Sequence, residues 1–174
     1  GNLYDETELD HRVCDCCQTD AALTDGGIVV VYRDRSAEEV RDISIVRKTD
    51  EGWLQAQTVH KDNWEIAGCP VNGPAVDALG NRVAVAWFTM ANDEPRVFVI
   101  FSENGGRTFG EAIRVDEGSP LGRVDILWLN SQKILVTWIE ETPDQTTIKA
   151  RQITAKGEAK SSFTISQTNA VRKS

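Results

Sequence analysis

Pro74-Ala75-Val76, Leu79-Gly80-Asn81 and Val83-Ala84-Val85-Ala86-Trp87 follow one another within residues 74–87, and a polar loop then leads to Arg96–Phe101 and Glu111–Val115. Short apolar runs rich in Val, Ile, Trp and Phe, separated by Gly, Asp and Asn, predict strands joined by turns; no stretch sustains a helical period. The same plan recurs on both sides. Upstream it reads Ala21-Ala22-Leu23, a turn at Asp25-Gly26-Gly27, Ile28–Tyr32, then Asp42–Arg47 and Trp53–Val59. Downstream it reads Val124–Leu129, a turn at Asn130-Ser131, Ile134–Trp138, then Thr147–Ile153 and Ser162–Ile165. Tyr32, Trp87 and Trp138 each close the second strand of their unit.

Four short strands per unit at a fixed period are the pattern of a β-propeller blade. The expected fold is therefore all-β, with three four-stranded antiparallel blades at about 18–64, 65–118 and 119–174 behind a lead segment 1–17. A two-sheet sandwich with evenly spaced strands is the alternative. Closed propellers have about four to eight blades, so three leave open sheet faces and unpaired edges. A homodimer making a six-bladed ring is the expectation, with membership of a longer chain as the other outcome.

The 174 residues, 40% hydrophobic and 26% charged, have the composition of a globular protein. No apolar run approaches the roughly 20 residues of a membrane-spanning helix, and 27 acidic against 19 basic residues give a net charge of −8. Nucleic acid and anionic membrane surfaces are not expected partners. Gly1 in place of Met suggests a removed targeting segment. Four cysteines, an even number, suit disulfides and a secreted or periplasmic location.

The link Ser102-Glu103-Asn104-Gly105-Gly106-Arg107-Thr108-Phe109 resembles the Asp-box of the sialidase and neuraminidase superfamily, Ser-x-Asp-x-Gly-x-Thr-Trp, with Asn104 for the Asp and Phe109 for the Trp. A short polar side chain bonds its own turn, Gly supplies a positive φ and the aromatic plugs the sheet edge. Worn copies stand at Thr49-Asp50-Glu51-Gly52-Trp53 and Thr154-Ala155-Lys156-Gly157. The stretches Cys14-Asp15-Cys16-Cys17-Gln18-Thr19, Tyr32-Arg33-Asp34-Arg35 with Arg41-Asp42-Ile43, and Gly68-Cys69-Pro70-Val71-Asn72-Gly73-Pro74 are similar to exported bacterial sialidase-like proteins. That resemblance implies a propeller and little about chemistry.

On such a fold, Cys14–Thr19, Gly68–Gly73, Ser119–Asp125, Arg33–Arg41, Thr89–Pro95 and Glu140–Gln145 gather on the ligand face. The resemblance implies three arginines for a substrate carboxylate, an Asp for acid/base work and a Tyr nucleophile. Arg33, Arg35, Arg41, Asn72 and Arg123 are the candidate ligand-binding residues, and Asp34, Asp42 and Asp125 the candidate acids. The same charges equally suit a salt-bridged network. Only Tyr4 and Tyr32 are available as nucleophiles, and Tyr32 stands where the other units carry Trp, so the catalytic set is incomplete. The expected function is binding of a carbohydrate or other anionic ligand without turnover; a glycoside hydrolase completed by a second chain, or an interaction module with no small-molecule site, are the alternatives. Cys14, Cys16, Cys17 and Cys69 are disulfide candidates, with Cys16 or Cys17 bridged to Cys69. A thiolate metal site of copper or zinc with His11 nearby, or reduced thiols, remain open. No organic cofactor is expected.

Overall fold

The computed structural model describes residues 6–169, and these form three antiparallel sheets with one short 3-10 turn at Ala91–Asp93. The first sheet holds β1 (Asp20–Thr24), β2 (Gly27–Arg33) and β3 (Ile43–Thr49), and its outer strand is broken into β4 (Gly52–Trp53) and β5 (Gln57–His60), both paired with β3. The second holds β6 (Ala75–Leu79), β7 (Arg82–Thr89), β8 (Arg96–Ser102) and β9 (Ile113–Arg114). The third holds β10 (Pro120–Asn130), β11 (Lys133–Thr142), β12 (Gln145–Thr154) and β13 (Phe163–Thr168). Strands adjacent in the chain are adjacent in space, as short connections favour.

The sheets stack face to face, and β7 shows why its sequence is apolar without interruption. Side chains alternate across a strand. Val83, Val85 and Trp87 pack with Val29, Val31, Ile43 and Ile45 of the first sheet. Ala84, Ala86 and Phe88 pack with Ile134, Val136 and Trp138 of the third. The middle sheet is thus covered on both faces, whereas the outer sheets are covered by it on one. Leu127, Leu129 and Ile148 of the third sheet stay exposed.

Aspartates tie the first strands of successive sheets together. Asp20 accepts the Ala21 N–H on Oδ1 and the Val76 N–H of β6 on Oδ2, both at 2.8 Å. Asp77 accepts Ala78 N–H on Oδ1 at 2.8 Å and the Trp128 N–H of β10 on Oδ2 at 2.6 Å. Asp125 repeats the first half of this arrangement, taking Ile126 N–H on Oδ1 at 2.9 Å. Among the described residues nothing donates to its Oδ2.

The turn after β8 is held by its own polar side chains. Ser102 Oγ accepts the Gly106 N–H at 2.9 Å, and Asn104 Oδ1 accepts the N–H groups of Arg107 and Thr108 at 3.1 and 3.0 Å. Asn104 Nδ2 donates to Thr108 Oγ1 at 2.8 Å, and Phe109 packs on the core between the first two sheets. Gly106 has a φ of 77°, and a Cβ there would lie 2.9 Å from Ile45 Cδ1. In the turn at Thr49–Trp53, Thr49 Oγ1 accepts Glu51 N–H at 3.2 Å and donates to Gly52 O at 3.4 Å, and at Thr154–Gly157, Thr154 Oγ1 accepts Glu158 N–H at 3.1 Å.

The third sheet departs from the expected loops. Ser119–Asp125 and Glu140–Gln145 are mostly strand, because Pro120 and Gly122 pair with Glu140 and Ile139, and Thr142 pairs with Gln145 across a tight turn. Truncating Trp87, buried between the first two sheets, to Ala is expected to destabilise the chain by about 3–5 kcal/mol. Met90→Ala, exposed in the loop after β7, should change stability by no more than about 0.5 kcal/mol. Urea denaturation of both variants measures the contrast.

Candidate functional site at the loop-rich end of the sheets

Three loop segments are stitched together where β1, β6 and β10 begin. The Cys16–Cys69 disulfide joins the first two across 53 residues, with the Cα atoms 6.3 Å apart. Gln18 and Gly73 reinforce it: Gly73 N–H donates to Gln18 Oε1 at 2.9 Å, and Gln18 Nε2 donates to Gly73 O at 3.2 Å. Asn72 reaches the third segment, donating from Nδ2 to Leu121 O at 3.1 Å and accepting Arg123 N–H at 2.9 Å. Gly122 permits this approach, since a Cβ there would fall 2.2 Å from Asn72 Oδ1. Asn72 is therefore a buried brace, and Arg123 is exposed beside it with a φ of 55°.

Arg33 is not at the surface. Only 1% exposed, it donates from Nε to Asn72 O at 2.6 Å, from Nη1 to Arg41 O at 2.5 Å and from Nη2 to Phe88 O at 2.6 Å. Its guanidinium also lies over the Trp64 ring, 4.9 Å from the centroid. Burial lowers its pKa, with the Cys17 thiol the strongest of the groups opposing that shift. Among the described residues no carboxylate lies within ion-pair distance of it. One cation thus satisfies three backbone carbonyls from three segments.

Three arginines, Arg12, Arg35 and Arg41, meet on one carboxylate. Glu39 is contacted by Arg12 Nη2 at 2.8 Å, Arg35 Nη2 at 2.9 Å and Arg41 Nη2 at 2.6 Å. Arg35 and Arg41 were expected at the site from sequence; Arg12 and Glu39 were not, because their contact spans 27 residues. Hydrogen bonds from Arg35, then Arg41, hold the Glu39 carboxyl down to about 2 from an ordinary 4.5. Glu39 has a φ of 65°, a conformation uncommon outside glycine.

The candidate acids serve the backbone or its neighbours. Asp34 accepts the Arg35 N–H at 2.6 Å and the Ser44 hydroxyl at 3.2 Å. Asp42 is buried and accepts the N–H groups of Asn63 and Trp64, both at 3.2 Å; burial pushes its carboxyl up. Asp125 belongs to the aspartate series between sheets. Tyr32 is buried and donates its hydroxyl to Asp10 Oδ2 at 2.6 Å; burial, then that bond, raises its pKa, the opposite of what a nucleophile needs. Tyr4 lies outside the described residues.

Sulfur is the concentrated chemistry of this end. Cys14 and Cys17 are free thiols, and the sulfurs of Cys14, Cys16 and Cys17 lie 3.2–3.9 Å from one another. Arg41, 4% exposed, donates from Nη1 to Cys14 Sγ at 3.1 Å, while its Nε finds no acceptor among the described residues. Burial, then the bond with Cys14, pushes the Cys17 thiol up to about 11. His11 is not part of the group: its side chain is exposed, beside Asp10. No family model matches the chain, and no curated protein does either.

Two outcomes follow from this geometry. Arg33→Met leaves three buried carbonyls without their donor and is expected to cost at least about 3 kcal/mol in urea denaturation. In an NMR-followed acid titration the Glu39 carboxyl should protonate near 2, not near 4.5. The stabilisation from its three ion pairs is present above about pH 4.5 and is lost as pH falls through the folded-state value near 2. A midpoint near the ordinary value would mean the arginines do not hold it.

Proposed function

We propose that this chain forms three blades of a sialidase-like β-propeller, closed into a six-bladed ring by a second copy, and that it binds a carboxylate-bearing ligand such as an acidic sugar without hydrolysing it. One observation carries the binding reading: Arg12, Arg35 and Arg41 converge on the single carboxylate of Glu39. Three guanidinium groups thus share one carboxylate in a chain of net charge −8. Guanidinium forks suit planar recognition of a carboxylate. Glu39, from the same loop, stands where a ligand carboxylate would stand, and its left-handed backbone fits a residue held in place by its surroundings.

The blade reading is supported by the meander order of each sheet, the face-to-face stacking, the aspartate links between first strands and the Asp-box turn. Closure by a second copy is supported by Asp125. By the pattern of Asp20 and Asp77, its Oδ2 is due an N–H from the first strand of the next sheet. Exposed Leu127, Leu129 and Ile148 give that next sheet an apolar surface. Against hydrolysis stand a Tyr32 hydroxyl bonded to Asp10 and candidate acids already engaged. The disulfide favours an exported, oxidising location.

Titration calorimetry with N-acetylneuraminic acid, glucuronic acid and neutral glucose tests the binding reading. The acidic sugars should bind and glucose should not, and Glu39→Gln, which frees the three guanidinium groups, should tighten binding about tenfold. A fluorogenic sialoside should stay uncleaved. Heat-silent titrations of both proteins, or equal binding of glucose, would remove the carboxylate reading.

A further inference from the structure

The three sulfurs at the start of the first sheet have no part in carboxylate binding, yet they are the closest grouping of metal-ligating atoms among the described residues. Cys14 Sγ lies 3.2 Å from Cys17 Sγ and 3.5 Å from Cys16 Sγ, and Cys16 and Cys17 are 3.9 Å apart. Metal–thiolate bonds of about 2.3 Å place the sulfurs of a three- or four-coordinate ion roughly 3.8–4.0 Å apart. A small outward movement of Cys14 meets that spacing. We infer that Cys14, Cys16 and Cys17 form a three-thiolate site for a soft monovalent ion, copper(I), opened when the Cys16–Cys69 disulfide is reduced.

The surroundings fit an anionic metal–sulfur centre better than three neutral sulfurs. Three thiolates around one copper(I) carry two negative charges, and the chain supplies buried cations beside them. Arg41 is 4% exposed, already donates from Nη1 to Cys14 Sγ and keeps an Nε without an acceptor. Arg33 is 1% exposed and, among the described residues, hydrogen-bonds only carbonyls, with Asp62 and Asp42 favouring its charge from beyond ion-pair distance. An anionic centre beside these two buried guanidinium groups is favoured by their charge, and three thiolates provide one. The Arg41 N–H on Cys14 is an outer contact of the kind that orients thiolate ligands. Soft sulfur ligands select copper(I) over hard cations.

Access to the site depends on the disulfide. Cys16 is bonded to Cys69, which is exposed to reductants. A dithiol reductant transfers two electrons and two protons to this bond, leaving the Cys16 and Cys69 thiols and its own disulfide. Copper(I) then displaces the protons of Cys14, Cys16 and Cys17 to solvent, with no change in its oxidation state. Cys69, outside the three-sulfur group, acts as the removable cap on Cys16.

The full chain, reduced with a dithiol under anaerobic conditions and freed of it, is titrated with copper(I) against a chromophoric copper(I) chelator. One ion per chain is expected, with X-ray absorption showing three sulfur neighbours at about 2.3 Å. The oxidised chain should take up copper(I) at least about 10-fold more weakly, and Cys69→Ser should bind without reductant. Arg41→Met should weaken binding roughly 10–100-fold, with Arg41→Lys restoring part of it. Failure of the reduced chain to compete, or fewer than three sulfur neighbours, overturns the inference. So does a Cys14–Cys17 disulfide forming in mass spectra in place of copper uptake. The absorption spectrum is read on the unsubstituted chain and so does not depend on any variant folding.

Discussion

A β-sheet presents two faces, and each apolar face has to be covered. In this chain the requirement is met on both faces of the middle sheet and unmet on the outer face of the third, where Leu127, Leu129 and Ile148 are exposed. Val83, Val85 and Trp87 point one way from β7 and Ala84, Ala86 and Phe88 the other, so the second sheet is a slab with a core on each side. The carboxylates of Asp20 and Asp77 fasten each first strand to the next, and the Cys16–Cys69 disulfide with Gln18 and Asn72 joins the segments that precede them. The loops that precede those strands are therefore brought together, and all the chemistry discussed above lies on them or on the neighbouring β2–β3 loop. On the proposed ring, the free oxygen of Asp125 and the exposed leucines of the third sheet are the same requirement waiting for its partner.

At that end the chain buries cations instead of displaying them. Arg33 closes three backbone segments around itself, and Arg41 lies between Glu39 on one side and Cys14 on the other. Arg41 thus belongs to both the arginine cluster and the sulfur group. A ligand that displaced Glu39 would change the surroundings of Cys14 through one side chain.

Much of the fold was legible in the amino-acid sequence. Uninterrupted apolar runs, the recurring aromatics at 32, 87 and 138, and the Ser102–Phe109 turn depend on local or periodic signals. The fate of the charged residues was less legible, because it depends on partners far away in the chain. Arg33 beside Asp34 and Arg35 reads as a surface cluster, yet its acceptors are Arg41, Asn72 and Phe88. Arg12 and Glu39 carried no local signal at all. Asp20 and Asp125 sit at equivalent places, opposite the residue preceding the closing aromatic, but the middle sheet holds Ala75 there and uses Asp77. That offset hid the series. The cysteine pairing resolved to Cys16–Cys69, and the proximity of Cys14 and Cys17 follows from the tight turn between them.

The central claim is that two copies of this three-sheet chain complete one another through the exposed outer face of the third sheet. Sedimentation equilibrium of the chain at micromolar concentration tests it most directly. The account predicts a single species of twice the 19.3 kDa chain mass, weakened to monomer by Asp125→Lys. A purified chain that stays monomeric across the accessible concentration range would contradict it.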